Sequence, residues 1–547
     1  LELYAKEYRP DRMTVAIIGR ESVSELKSWV VEELSQVKGE PKPRADRPAP
    51  FLEEHLGVRI DMEALDERRL LELQFPAKDQ HAFFPQRPHD FVFGVLGHEG
   101  EGTLFAKLKA QGWIESLSAS SGDGADDYDL LMLSYELTEE GAKHVDAIVT
   151  ASFDAIEKLR DDGLEEWRHV ENEKMAELGF KFAEETPVVN AVNLVTWSMS
   201  WAPPEHVLDF WAVPTPFDAD LVKNETLAKM TPENMRLVVT LPAGEGEATL
   251  DKTEERYQVK YGMRKLTAAE LETYAGDAGL DIGLPEKNPY LPESIELKPG
   301  GENPTVPQAV DAGAVKLWHL QDSSFGVPRA TTHVRVFSKA PRKDGLESRV
   351  AGYMFQMLVE DALEEFSYPV REAGLQTNVA VTSWGMTVDI FGYDDRQGAL
   401  LSDLSSQIRS LQVDPERFEI VKARLARNWR NSKTQRPINQ TAWALGEAMD
   451  PYDWSVDAML PVLDKLTVAR EKAFIDSFFT EAAAEMLVHG NLTADEAKGL
   501  ASTVEGVLLR GSKPLASVKE KRNTLPDAKE IVRNVVIDHN DSTSHGA

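Results

Sequence analysis

One order of landmarks occurs twice along this 547-residue chain and constrains the fold more than any single motif. Residues 8–19, built around Met13, return loosely at 230–240 around Met235 and again at 479–490 around Met486. Each copy is a polar helix end, a Met, then a short strand rich in Leu or β-branched residues. The first and third copies run on into helices opened by Ser22 and Thr493, hydroxyl residues suited to N-capping. Between these endings, a helix closing on Gly112-Trp113 has its counterpart in one closing on Gly374-Leu375. Strands at 129–137 and 384–391 follow. Then come helices with Val145, Ile148, Val149, Phe153, Ile156 and Leu159 on one face, or Leu400, Leu401, Leu404 and Ile408. Further helices open at 163–167 and 413–418. A repeated order of this kind predicts tandem homologous α+β domains, each with a sheet packed against helices.

The length excludes one compact core. Gly283, Pro285, Pro289, Pro292, Pro299, Gly300, Gly301, Pro304 and Pro307 crowd a stretch that a helix interior or central strand does not tolerate, so 283–307 reads as an interdomain linker. Shorter proline clusters lie at 41–50 and near Pro514 and Pro526. Apolar residues at 42% and charged residues at 28% are ordinary globular usage. Acidic residues outnumber basic ones 92 to 60, and the net charge of −32 opposes both phosphate backbones and anionic lipid. Nucleic acid and membrane are therefore set aside as partners. The absence of cysteine removes disulfides, thiolate metal sites and a cysteine nucleophile. No apolar run reaches the ~18 residues of a spanning helix.

The most pointed local sequence is Gly97-His98-Glu99-Gly100-Glu101-Gly102-Thr103-Leu104. It lacks the Lys-Ser/Thr of a phosphate loop, and its carboxylates would sit where phosphate charge belongs. His98 and Glu99 are adjacent and diverge, so they do not close on one metal ion by themselves. The local expectation is a Gly-rich turn into a helix at 103–111. In Phe51-Leu52-Glu53-Glu54-His55, the position that an inverted zinc motif gives to its first His holds Phe51, and the segment reads as a loop or short turn. No two of the twelve histidines are three or four apart, so a helical two-His zinc site cannot be built. No Gly-x-Ser-x-Gly elbow occurs. Acidic pairs such as Asp126-Asp127 and Glu184-Glu185 read as solvated surface, and Trp197 and Trp201 as packing residues.

The order of these blocks resembles the pitrilysin and insulin-degrading-enzyme family of zinc metallopeptidases, almost end to end. Its carriers are Gly19-Arg20-Glu21-Ser22, Leu96-Gly97-His98-Glu99-Gly100 with Gly112-Trp113, Leu137-Thr138-Glu139-Glu140-Gly141, Lys316-Leu317-Trp318 and Leu487-Val488-His489-Gly490-Asn491. A looser block is 253–257, where Arg256 replaces the family's usual tryptophan before Tyr257. The resemblance implies four homologous α+β domains in two halves that close around a chamber. Aligned to it, residues 1–57 are the tail of a first, catalytic-type domain and 58–290 a second domain. Residues 291–310 are a linker, 311–515 a third domain, and 516–547 the connection to a fourth.

The family's zinc motif would precede residue 1, so the resemblance implies zinc in the full-length enzyme and none bound by this chain, with no catalytic and no metal residues in it. Peptide substrate is the implied ligand. The implied partners are the catalytic first domain and the remainder of the fourth, on the same or a separate chain. The implied location is cytoplasmic. The family's second domain also holds a remote anchor, in which an extended substrate adds to a sheet edge and its amino terminus is held by a glycine and a glutamate. Those positions are Gly97 and Glu99, and the edge strand maps onto Leu117, Ser118, Ala119, Ser120 and Ser121. A carboxylate suits an ammonium, and a strand edge binds backbone regardless of side chains. Here Ser118-Ala119-Ser120-Ser121 replaces a more glycine-rich stretch, and Gly94 stands where the best-known member has a histidine. The alternative reading is a non-catalytic peptide-binding or structural subunit paired with a separate active chain.

Overall fold

A computed structural model describes residues 4, 8–39, 50–65, 68–125, 127–246, 248–299, 305–433, 435–515 and 522–523. The prolines at 41–49, Asp126, residues 300–304 and most of 516–547 lie outside these. The chain divides into two compact units, 1–287 and 288–547.

The first unit is built on a seven-stranded sheet of β1 (Val58–Glu63), β2 (Leu70–Ala77), β3 (Ile114–Ala125), β4 (Tyr128–Leu137), β5 (Arg236–Leu241), β6 (Lys252–Thr253) and β7 (Lys260–Lys265). The order is β3-β4-β2-β5-β1-β7-β6, with only β1 and β5 parallel. Burial alternates residue by residue along β2 and β4, so each buries one face, as the period-2 geometry of a half-covered sheet requires. The helix Val145–Asp162 covers that face. Its stripe of Val145, Ile148, Val149, Phe153, Ile156 and Leu159 is buried throughout, as its spacing predicts.

The second unit repeats the plan with β8 (Gln308–Val310), β9 (Val315–Gln321), β10 (Arg329–Phe337), β11 (Leu375–Thr382), β12 (Gly385–Tyr393) and β13 (Glu481–Gly490), joined by the short β14 (Lys513–Pro514). The order β11-β12-β10-β13-β9 matches β3-β4-β2-β5-β1 strand for strand, again with one parallel pair, β13 with β9. Leu400, Leu401, Leu404 and Ile408 of the helix Gln397–Ser410 are buried in its core.

The proline-dense stretch is not free-standing. Gly283 donates its N–H to the Gly102 carbonyl, 2.8 Å, within the first unit. From Asn288 onward the chain is fastened to the second unit: the Tyr290 hydroxyl donates to Asp403, 2.9 Å, and Lys298 meets Asp394 at 2.6 Å and Glu496 at 2.8 Å. The division therefore falls at 287/288, inside the proline-rich region and ahead of the expected 291–310.

Residues 13–19 differ from their two counterparts. They join no ladder among the described residues, and Val15, Ile17 and Ile18 are 43%, 47% and 49% exposed. The following helix Val23–Leu34 does carry the expected cap, Ser22 and Glu25 bonding each other's backbone. Residues Glu53–His55 form one 3-10 turn in which His55 Nδ1 accepts the Leu52 N–H. Trp197 and Trp201 pack edge to face at 5.2 Å, with Trp197 half exposed. Among the described residues no helix is long and apolar enough to cross a membrane.

Candidate functional site

The helix Pro88–Leu96 stops at Gly97, whose N–H still donates to the Phe93 carbonyl, 2.9 Å. The chain then turns through Gly102, where φ is +77°, a value that favours glycine, and Thr103 opens the helix Leu104–Ala110. The turn predicted from the glycines is present, and long-range contacts hold it. The Gly102 carbonyl accepts from Gly283, and the Thr103 hydroxyl donates to the Gly100 carbonyl, 2.7 Å. His98 Nδ1 accepts the Gly100 N–H at 2.9 Å. Burial, and then the nearby Arg168 guanidinium, lowers the His98 pKa to about 4. The imidazole is thus neutral with its proton on Nε2, a brace for the turn.

β3 is the outermost strand of its sheet. Which of its groups face outward follows from register. Leu137 donates its N–H to the Arg69 carbonyl, on the β2 side, so Tyr135, Leu133 and Leu131 of β4 also bond toward β2. Their opposite numbers on β3, Leu117, Ala119 and Ser121, therefore direct N–H and C=O away from the sheet. Ser118 and Ser120, paired with Ser134 and Met132, spend theirs on β4. Of the five strand residues singled out from the sequence, three line the edge by backbone. The Leu117 side chain is buried in the core and offers nothing else.

Gly97 sits directly against this edge. A Cβ on it would stand 3.0 Å from the Ala119 Cβ and 3.3 Å from the Ala119 nitrogen, one of the outward N–H groups. Glu99 is half-buried two residues further along the same turn. The turn thus meets the edge strand at Gly97 and Ala119. Arg168 supports it through the Pro285 carbonyl, and Gly283 and Pro285, read from the sequence as the start of the linker, lie against the first unit instead. Among the described residues no group of three or more His, Asp or Glu side chains is placed to hold a metal ion.

Residues 180–462, just over half of the chain, match the middle or third domain of peptidase M16, and residues 1–176 match the peptidase M16 inactive domain. The chain belongs to the M16 peptidase family. This M16 chain is similar to the insulin-degrading enzyme of Homo sapiens, 30% identical over 536 residues that take in 96% of this chain and 52% of that one. The insulin-degrading enzyme of Drosophila melanogaster is 27% identical over 512 residues, 92% of this chain and 51% of that one. Among solved structures, pitrilysin superposes with a TM-score of 0.70 at 22% identity, covering 92% of this chain and 53% of that one, a likeness of fold. The M16 chain spans about half the length of these relatives.

Proposed function

We propose that this chain is the non-catalytic middle portion of a zinc metalloendopeptidase that degrades peptides inside a closed chamber. It supplies chamber walls and an anchor for the substrate's amino terminus. The supporting observation is the open backbone edge at Leu117, Ala119 and Ser121 beside the side-chain-free Gly97. An extended peptide lies along β3 as an added strand, its sequence unread, and its terminal ammonium meets the Glu99 carboxylate. Residues 13–34 repeat the order of β13 and the helix Ala494–Thr503 yet leave their apolar residues in solvent. We read them as the tail of a first domain whose sheet they complete. On the same reading the catalytic first domain and the rest of the fourth are its partners, and the protein is cytoplasmic.

Calorimetric titration with an unstructured peptide tests the anchor. A free amino terminus should bind at least about tenfold more tightly than the acetylated peptide, the equivalent of one charge-assisted hydrogen bond. Glu99→Gln should remove the difference. Equal binding of the two peptides by the native chain would refute the anchor. Chelator-sensitive peptide cleavage by the pure chain would refute its non-catalytic role.

A further inference from the structure

We propose that the second unit carries a peptide site of its own at the free edge of β11, where an extended peptide passes through a cleft as an added strand. This goes beyond the β3 anchor and stands or falls independently of it.

β11 is the outermost strand of its sheet. It pairs with β12 in unbroken register from Leu375↔Gly392 to Thr382↔Gly385, where a two-residue hairpin loop closes. The closing pair is hydrogen-bonded, so Thr382, Ala380, Asn378 and Gln376 bond to β12, while Leu375, Thr377, Val379 and Val381 direct N–H and C=O outward. Val381 confirms this parity. Its N–H donates to Gln356 Oε1, 2.9 Å, and its carbonyl accepts from Arg349 Nη1, 2.9 Å. A side-chain amide oxygen and a guanidinium thereby occupy the places that a neighbouring strand's carbonyl and amide would take, and they end the open edge at that residue.

The same outward groups of Thr377 and Val379 have no such partner among the described residues. Both residues, with Asn378, line a cavity of about 510 Å³. Its other walls include Met357 and Ser367 from the helices Leu346–Ala362 and Glu364–Glu372, and Arg424 and Asn428 from the helix Pro415–Ser432. Unpaired edge groups are a template for strand addition, which proteins otherwise cover or blunt. Here the cover at Val381 stops two residues short of the cleft.

Geometry selects the occupant. Between the buried Leu375 and the Val381 cap the edge spans six residues, only ~20 Å at about 3.3 Å per residue, with Thr377 and Val379 as its open groups. It is recessed between helices, which suits one extended backbone and excludes a second copy's sheet arriving with its own helices. No terminal ammonium is needed, so a peptide blocked at both ends is a ligand here and not at Glu99.

The test uses the full chain and an acetylated, amidated octapeptide of alternating threonine and valine closed by one lysine and one glutamate. On saturation, amide hydrogen exchange in the segment 375–382 should slow. Thr377→Pro removes an outward N–H without touching the β12 ladder and should weaken binding roughly tenfold. Asn428→Trp fills the cleft from the facing helix and should abolish binding even if the proline variant does not fold. Gln356→Ala uncovers the Val381 N–H, lengthens the edge and should tighten binding severalfold. Unaltered exchange over 375–382, or equal affinity of the native and Asn428→Trp chains, overturns the proposal. So does a concentration-dependent dimer that protects the same segment, since that would assign the edge to a second copy.

Discussion

Gly97 and Ala119 meet with no room for a side chain between them, and a Cβ on the glycine would also stand 2.9 Å from the Phe93 carbonyl oxygen. Helix end and sheet edge thereby meet at this glycine.

Filling that space should cost both fold and binding. Gly97→Val is expected to destabilise the first unit by about 1–3 kcal/mol, the range for overpacking a tight site, and to weaken a free-amine peptide more than tenfold. Gly94→Ala is the control. Only Asn172 Nδ2 lies within 4 Å of that position, at 3.8 Å, and the helix should gain roughly 0.5–1 kcal/mol. Denaturant melts with calorimetric titration read both; native-like affinity in Gly97→Val would count against the edge.

His98 should make the first unit sensitive to mild acid. Its pKa falls to about 4, from an ordinary value near 6.5, so the unfolded chain takes up the proton first as pH drops. The stabilisation present above pH ~6.5 is lost progressively down to about pH 4. In His98→Gln the amide oxygen keeps an acceptor for the Gly100 N–H while the titration disappears. Parallel stability–pH curves for the two proteins over that window would dismiss this account.

Glu471, on the helix Val468–Phe478, is wholly buried, and neither carboxyl oxygen has a hydrogen-bond partner among the described residues. Burial raises its pKa well above the usual carboxylate range. The sign is opposite to that of His98. No penalty exists below the unfolded pKa near 4.3, and stability declines as pH rises from there toward the folded value. Glu471→Met should remove that decline and stabilise the second unit by roughly 1–3 kcal/mol, the range for an unsatisfied buried polar group. Melting midpoints compared at pH 5 and pH 8 decide it; a Met variant no more stable than native at pH 8 would be incompatible.

The Lys298–Asp394 pair should act as the clasp of the proline-rich segment. Asp394 is 5% exposed and also accepts from Asn491 Nδ2 at 3.2 Å. Asp394→Ala leaves the partly buried Lys298 with Glu496 as its remaining partner and should cost about 1–3 kcal/mol. It should also open the Glu296–Leu297 bond to a glutamate-specific protease, seen as a new cut in limited proteolysis. If that bond resists cleavage in the variant, the pair does not clasp the segment.

Particular residues mark what the sequence made readable. The stripe from Val145 to Leu159 was visible because a helix buries one side every three or four residues, and β4 through its place in the repeated order of landmarks. Gly97 and Glu99 were singled out through the family's block, and the turn through its glycines. The outward parity of Leu117, Ala119 and Ser121 was not, because it depends on Leu137 bonding to Arg69 in another strand. Gln356 and Arg349 covering Val381 left no mark for the same reason: both are ordinary helix residues until β11 is laid beside them. The clasp of Lys298 on Asp394 joins positions almost a hundred residues apart, and the prolines and glycines alone read as an interdomain linker.

The parallel pairing of β5 with β1, and of β13 with β9, carries a consequence for biosynthesis. In both units the strand that closes the centre of the sheet is translated long after its neighbours, so Val58 waits for Arg236 and Val315 for Ala484. Until then a nascent chain holds a gap between β2 and β1, or between β10 and β9, and such late, distant closures are slow and leave apolar surface open to chaperones. Ribosome pausing beyond residue 241 would favour completion of the first unit before the second begins.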